Sequence, residues 1–171
     1  MDGPLVRAAR GGSQPAFARL VAGHERALQG FLRKSGFGDA DDIAQEAFLA
    51  AWSGLARLRD DDGFRSWLFG IAWRKALDHN RAARRSARRD EAWREDQALD
   101  APRGVDAESR MSLEAAMNDL TADQRACVAL CLGQGWSHGE AAQALNMPLG
   151  TVKSHVTRGR ERLLAVLGEA S

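Results

Sequence analysis

Apolar residues recur with the 3.6-residue period of amphipathic helices through most of the chain, and the breaks between them carry Gly, Pro, Asp or Ser. The pattern predicts helices over about 14–34, 39–58, 63–85 or a little beyond, 109–119, 121–132, 137–145 and 149–167. β-branched runs are few and Tyr is absent. The last segment, "PLGTVKSHVTRGRERL", is the most informative. On a helix, Leu149, Val152, Val156, Leu163 and Leu167 form one apolar stripe with Gly159 between them, and that side is expected to be buried. The other side carries Lys153, Ser154, Thr157, Arg158 and Glu161. A merely solvated helix mixes Lys and Glu at i,i+4; here only Glu161 is acidic.

Upstream lies a short periodic segment over 137–145. Ser137 is a candidate N-cap with Glu140 three residues on, the spacing of a capping box. Small Ala142 suits a close helix crossing, and Asn146 tolerates the positive φ of a tight turn. Val152 follows Ala142 by ten residues and is expected to pack back on the first helix. This is helix-turn-helix spacing, which places the second helix in the DNA major groove. The alternative is an ordinary helical hairpin, which would not require a basic outward face.

Two N-terminal segments add different surfaces. In "DADDIAQEAFLAAWSGL", Ile43, Ala47, Ala50 and Ala51 share the side expected to be buried. Asp42, Gln45, Glu46, Leu49 and Ser53 share the other, with Trp52 at the margin. Carboxylates beside exposed apolar groups suit a basic, apolar-cored protein partner. In "GFRSWLFGIAWRKALDHNRAARRSARR", Arg74, Arg81, Arg84, Arg85 and Arg88 share one face. Ala72, Ala76, Ala83 and Ala87 lie roughly opposite, where they can pack closely. Trp67 reads as core and Trp73 is open between core and surface. Cations with aromatics at one end suit phosphates and an unpaired base.

Charge changes the picture through its distribution. The 171 residues carry 24 Lys and Arg against 23 Asp and Glu, net +1. Yet 81–89 hold five arginines and no acid, and 90–108 hold seven acids and two bases. The asymmetry implies a nucleic-acid face followed by an acidic, Pro/Gly-punctuated tether. The expected fold class is all-α: two small helical domains, 1–89 and 109–171, joined by a flexible acidic linker, 90–108, with the helix-turn-helix in the second. No apolar run is long enough to span a membrane and the N-terminus lacks a signal-peptide core, so membrane insertion is not expected and the protein is expected in the cytoplasm. Cys127 and Cys131, at i,i+4, fit no usual zinc spacing and read as small buried hydrophobes. The four His are scattered, no Ser/His/Asp or metal constellation appears, and neither catalysis nor a cofactor is expected.

Three stretches in order, "DADDIAQEAFLAAW", "FRSWLFGIAWRKALDH" and "LTADQRACVALCLGQGWSHGEAAQALNMPLGTVKSHVTRGRERL", resemble bacterial RNA polymerase sigma factors of the extracytoplasmic-function group of the sigma-70 family. The resemblance implies binding to core RNA polymerase and direction of it to promoters with particular −35 and −10 elements. It implies that Asp42, Gln45 and Glu46, on the exposed face with Leu49, dock on the β′ clamp helices. It places the loop from Leu58 to Phe64 where the family captures a flipped −10 base. It places Arg74, Lys75, Asp78, Asn80 and Arg81 on the −10-contacting helix, with Arg84 and Arg85 continuing the stripe. Lys153, Ser154, Thr157 and Arg158 fall on the −35 recognition helix. An anti-sigma factor is a further implied partner. Two other readings remain open: a helix-turn-helix activator or repressor that binds duplex DNA without polymerase, and a sigma mimic that binds only a regulator.

Overall fold

The protein is described here by a computed structural model covering residues 2–90 and 107–169. Eight α-helices and no strand occur among the described residues: α1 Gly3–Arg10, α2 Gln14–Lys34, α3 Ala40–Gly54, α4 Phe64–Asp90, α5 Ala107–Asn118, α6 Ala122–Val128, α7 His138–Leu145 and α8 Leu149–Glu169. The all-α expectation holds. Most of the expected tether, 90–108, lies outside the described residues.

Local chemistry sets the boundaries. Ser13 caps α2 by accepting from the Ala16 amide, and Pro15 occupies its first turn. Thr121 with Gln124, and Ser137 with Glu140, form complete capping boxes on α6 and α7. Asn146 ends α7 in the left-handed region at φ 52°, as its place in the turn implies. Two predicted helices change pitch near their ends. The expected 39–58 helix stops at Gly54 and continues as a 3₁₀ turn, Leu55–Arg57, and the expected 121–132 helix widens into a π turn, Ala129–Gly133. Helix α1 was not expected from the pattern. Eight residues make a marginal helix alone; burial of Val6 and Ala9 against the rest of the protein supports it.

The N-terminal half packs α2, α3 and α4 around Phe31, Ile43, Phe64, Leu68 and Phe69, all 0–1% exposed. Full burial of such a side chain stabilises by roughly 1.5–3 kcal/mol each. Trp73 resolves as core: it is buried against Phe31 and Phe37, at centroid distances of 6.1 and 5.8 Å. Trp67 is half-buried against Phe64. Ala72 and Ala76 pack inward as expected. Ala83 and Ala87 do not, because α4 runs past the core there and both are exposed.

In the C-terminal half, Val152 and Val156 of α8 are buried as the stripe requires. Leu149 is not; at 46% exposure it stands in the first turn of α8, ahead of the crossing with α7. Leu163 is half-buried, and the side chain of Leu167 lies outside the described residues. Gly159 is where α8 meets α6: a Cβ there would run into Val128 Cγ2. Gly159→Ala therefore sets a helix-propensity gain of about 1 kcal/mol against an overpacking cost of about 1–3 kcal/mol. Val128 is stiff and buried, so the cost wins. Thermal unfolding is expected to show a net loss of about 1 kcal/mol, restored by adding Val128→Ala; an unchanged melting curve would contradict the close approach.

The halves meet across α4 and α7, and one apolar cluster runs through both. Buried Gly70 allows the crossing, since a Cβ there would lie 2.9 Å from the Ala144 carbonyl oxygen. Trp136 packs against Phe69 with the rings tilted and their centroids 4.8 Å apart, and it receives the Arg65 guanidinium at 4.1 Å. Gln134 donates to the Ala27 carbonyl at 2.7 Å.

Candidate polymerase and nucleic-acid interfaces

Three surfaces project from this framework. The first belongs to α3. Its Ile43, Ala44, Ala47 and Ala51 side is buried, so the period of the helix turns Asp42, Gln45 and Leu49 outward; Leu49 is 64% exposed. Beside them runs an open groove of about 650 Å³ between α2 and α3, floored by Phe17, Val21, Phe48 and Trp52. The Phe17 and Trp52 rings are 4.8 Å apart. Asp41 extends the acidic edge and pairs with Arg33 at 2.7 Å, a residue the periodicity argument passed over.

Glu46 differs from its neighbours. It is half-exposed, and its carboxylate reaches α4, to His79 Nε2 at 3.1 Å and Lys75 Nζ at 3.6 Å. The His79 hydrogen bond, with a smaller contribution from the Lys75 charge, holds this carboxyl below its usual range against the opposing effect of partial desolvation. The acidic face and the basic helix are thus tied at one point, 33 residues apart in sequence, which no local spacing reveals.

The second surface is the distal part of α4. Arg74, Arg81, Arg84 and Arg85 are exposed, and Asp78 is exposed beside Arg81 at 3.6 Å. Lys75 and Asn80 are half-buried. Phe64 departs from the expectation of a DNA-facing ring. It is fully buried, packed against His24 and Trp67 at centroid distances of 5.5 and 6.1 Å, because it opens α4 on the side facing α2. Leu58, at the start of the loop, is buried too; between the two, Arg59, Asp60 and Asp62 are exposed and Asp61 is half-buried. Asp60 turns back to accept from the Asp62 amide at 3.1 Å.

The third surface is on α8. Lys153, Ser154, Thr157 and Arg158 are all exposed, opposite buried Val152 and Val156. The four expected −35 residues therefore share one free face of the second helix of a helix-turn-helix. Elsewhere, burial raises the Cys127 thiol to about 12 and also raises Cys131, which suits packing residues rather than thiolate chemistry. Among the described residues no group of three or more His, Cys, Asp or Glu could hold a metal, and no helix is long and apolar enough to cross a membrane.

An all-α chain with a helix-turn-helix, a second basic helix and an acidic-apolar face is the outline of a transcription factor built to hold a large protein partner as well as DNA. The comparisons agree. Residues 19–86 match the family "Sigma-70 region 2" and residues 110–163 match "Sigma-70, region 4". The sigma factor NccH of Alcaligenes xylosoxydans xylosoxydans is 38% identical over 177 residues, spanning 98% of this chain and 95% of its own. The extracytoplasmic-function sigma factor SigM of Mycobacterium tuberculosis is 34% identical, spanning 98% and 85%. Among solved structures, CnrH in complex with the cytosolic domain of CnrY superposes with a TM-score of 0.73 at 31% identity, covering 99% of both chains. RpoE of Bartonella quintana in complex with the anti-sigma factor NepR gives 0.76 at 25% identity, covering 89% of this chain and 96% of that one.

The chain belongs to the extracytoplasmic-function group of sigma-70 family RNA polymerase sigma factors. As such it binds core RNA polymerase and directs promoter-specific initiation, and its family is one of initiation factors rather than enzymes. Nothing found supports a repressor acting without polymerase. The α3 and α4 candidates fall inside the region 2 match, and the α8 candidates inside the region 4 match.

Proposed function

We propose that the three surfaces divide the work of initiation. Asp42, Gln45, Glu46 and Leu49 form the polymerase-docking face, seated on the β′ clamp helices. Arg74, Lys75, Asp78, Asn80, Arg81, Arg84 and Arg85 face the −10 region, with the 58–63 loop as the pocket for a flipped base; Phe64 supports that loop from the core. Lys153, Ser154, Thr157 and Arg158 read the −35 element in the major groove. The modules are 1–89 and 109–171, with 90–108 as the tether that spans the two elements. The observation that carries this reading is the coexistence of two separate, acid-poor cationic faces with an acidic-apolar face in one chain. The protein acts in the cytoplasm and performs no catalysis itself. An anti-sigma factor is its natural antagonist, in keeping with the anti-sigma factor named in the RpoE complex.

The test is reconstitution: core polymerase with and without the protein, assayed on a promoter library. Transcripts that appear only with the protein, sharing −35 and −10 elements, support the reading. Tight, specific binding to closed duplex by the protein alone would overturn it. Within that assay, Arg158→Ala is expected to weaken recognition by about 1–3 kcal/mol at one −35 position if Arg158 contacts a base. If it holds only a phosphate, binding should fall evenly across sequences and the salt slope by about one unit. Unchanged activity in both Lys153→Ala and Arg158→Ala would remove α8 from the −35 element.

A further inference from the structure

Helix α1 does more than add apolar surface. Its inner side is anchored by Val6 and Ala9, and Asp2 beside its start meets His24 Nε2 at 2.8 Å. Its outer side carries Arg7 and Arg10, and both turn onto the stretch between α3 and α4. Arg10 Nη2 donates to the Leu58 carbonyl and to Asp61 Oδ1, each at 2.7 Å, and Nε reaches the Leu55 carbonyl at 3.5 Å. Arg7 Nη1 adds a contact to Asp61 Oδ2 at 3.4 Å. Near the start of the helix, a Cβ on buried Gly3 would lie 3.0 Å from Asp62 Oδ1, so α1 also closes on the loop there.

The chemistry of these contacts is specific. Leu55 and Leu58 bound the 3₁₀ turn after α3: the Leu58 amide closes the turn on the Leu55 carbonyl at 3.2 Å, and the Leu58 carbonyl, past its end, takes the Arg10 guanidinium. A guanidinium, with donors in a fixed fork, can satisfy such a carbonyl and a carboxylate together. The loop is acidic, with Asp60, Asp61 and Asp62 in a row, and a row of carboxylates repels a nucleic-acid strand. Asp60 is turned into its own backbone, and Asp61 is neutralised by two arginines from α1. Leu58 and Phe64 pin the two ends of the loop in the core. Between those ends, α1 supplies the hold on the middle.

We propose that α1 is a strap that sets the shape and charge of the 58–63 loop, and that Arg10 is a positioning residue for base capture during −10 opening. This rests on the reading of that loop as the base pocket. Arg10 touches no DNA in this role; it acts through Leu58 and Asp61.

The experiment uses the full chain assembled with core polymerase. Arg10→Ala is expected to leave core binding and closed-complex formation within twofold of wild type. Permanganate-reactive −10 thymines should fall five- to tenfold, and discrimination among bases at the captured position should flatten. Arg10→Lys, which can reach one acceptor but not the pair, should be intermediate. Asp61→Asn removes the shared partner without touching α1 and keeps the test decisive if Arg10→Ala fails to fold. It should also reduce opening, whereas a carboxylate that merely repelled DNA would give increased opening when neutralised. Wild-type melting and discrimination in both Arg10→Ala and Asp61→Asn, with loss of opening on shortening the loop, would overturn the strap and leave the loop reading standing. Unchanged opening with the shortened loop would overturn both.

Discussion

Asp42→Arg combined with Glu46→Arg is expected to abolish association with core polymerase, a loss of at least about a hundredfold, in a protein that still folds. Truncating one partner of a desolvated, hydrogen-bonded charge pair at an interface costs about 2–5 kcal/mol, and reversal adds repulsion from the partner's cations. The fold should survive because Ile43, Ala44, Ala47 and Ala51, all 0–1% exposed, hold α3 in place. The local cost comes from Glu46, since the reversal removes the partner of Lys75 and His79 and leaves three basic groups together. These groups are about a third to a half exposed, and such pairs contribute about 0–1 kcal/mol, too little to unfold the domain. Asp42→Arg alone separates docking from this internal pairing, because Asp42 has no ion pair to α4 among the described residues. A gel-shift or interferometry titration against core, with circular dichroism as the fold control, reads the outcome. Normal binding by the folded double variant would remove the docking assignment.

The helix-turn-helix was legible in the sequence because its determinants are local. Ser137 and Glu140 are three residues apart, Asn146 sits in the turn, and Val152 and Val156 lie one helical turn apart, so a single segment fixes caps, turn and inward face. The outward set on α8 then follows from geometry alone. Leu149 failed the same logic because a stripe does not say where a partner helix ends. Phe64 shows the limit more sharply. Its neighbours Asp60 to Gly63 are polar, so the local pattern suggests a surface loop, yet the ring is turned inward by His24 and Trp67. Trp73 could not be placed until Phe31 and Phe37 were seen beside it. Helix α1, the Gly70–Ala144 approach and the Glu46–His79 pair share that property: each depends on contacts between residues distant in sequence. The exposed faces that carry the candidate residues could be read from their period; the couplings between faces could not.

Arg81→Ala with Arg84→Ala is expected to reduce open complexes about tenfold while leaving closed complexes largely intact. Both side chains are exposed on a part of α4 that packs against little, so the substitutions should not disturb the core. Arg81 meets Asp78 at 3.6 Å, but a pair about 72% exposed on both sides is a weak competitor for DNA phosphate. On the proposed reading the closed complex is also held by core polymerase and the −35 contacts, so two cations are a small fraction of the total. Opening differs, because the strand leaving the duplex loses stacking at a cost of a few kcal/mol per step and needs a new surface with countercharge. Each phosphate released from contact should also flatten the salt dependence of opening, by about 0.7 in log–log slope for single strand. Permanganate footprinting across a salt series measures both quantities. Equal loss of closed and open complexes would make the arginine stripe a general electrostatic anchor. A selective loss of opening, with its slope change, would assign Arg81 and Arg84 to the melted −10 strand.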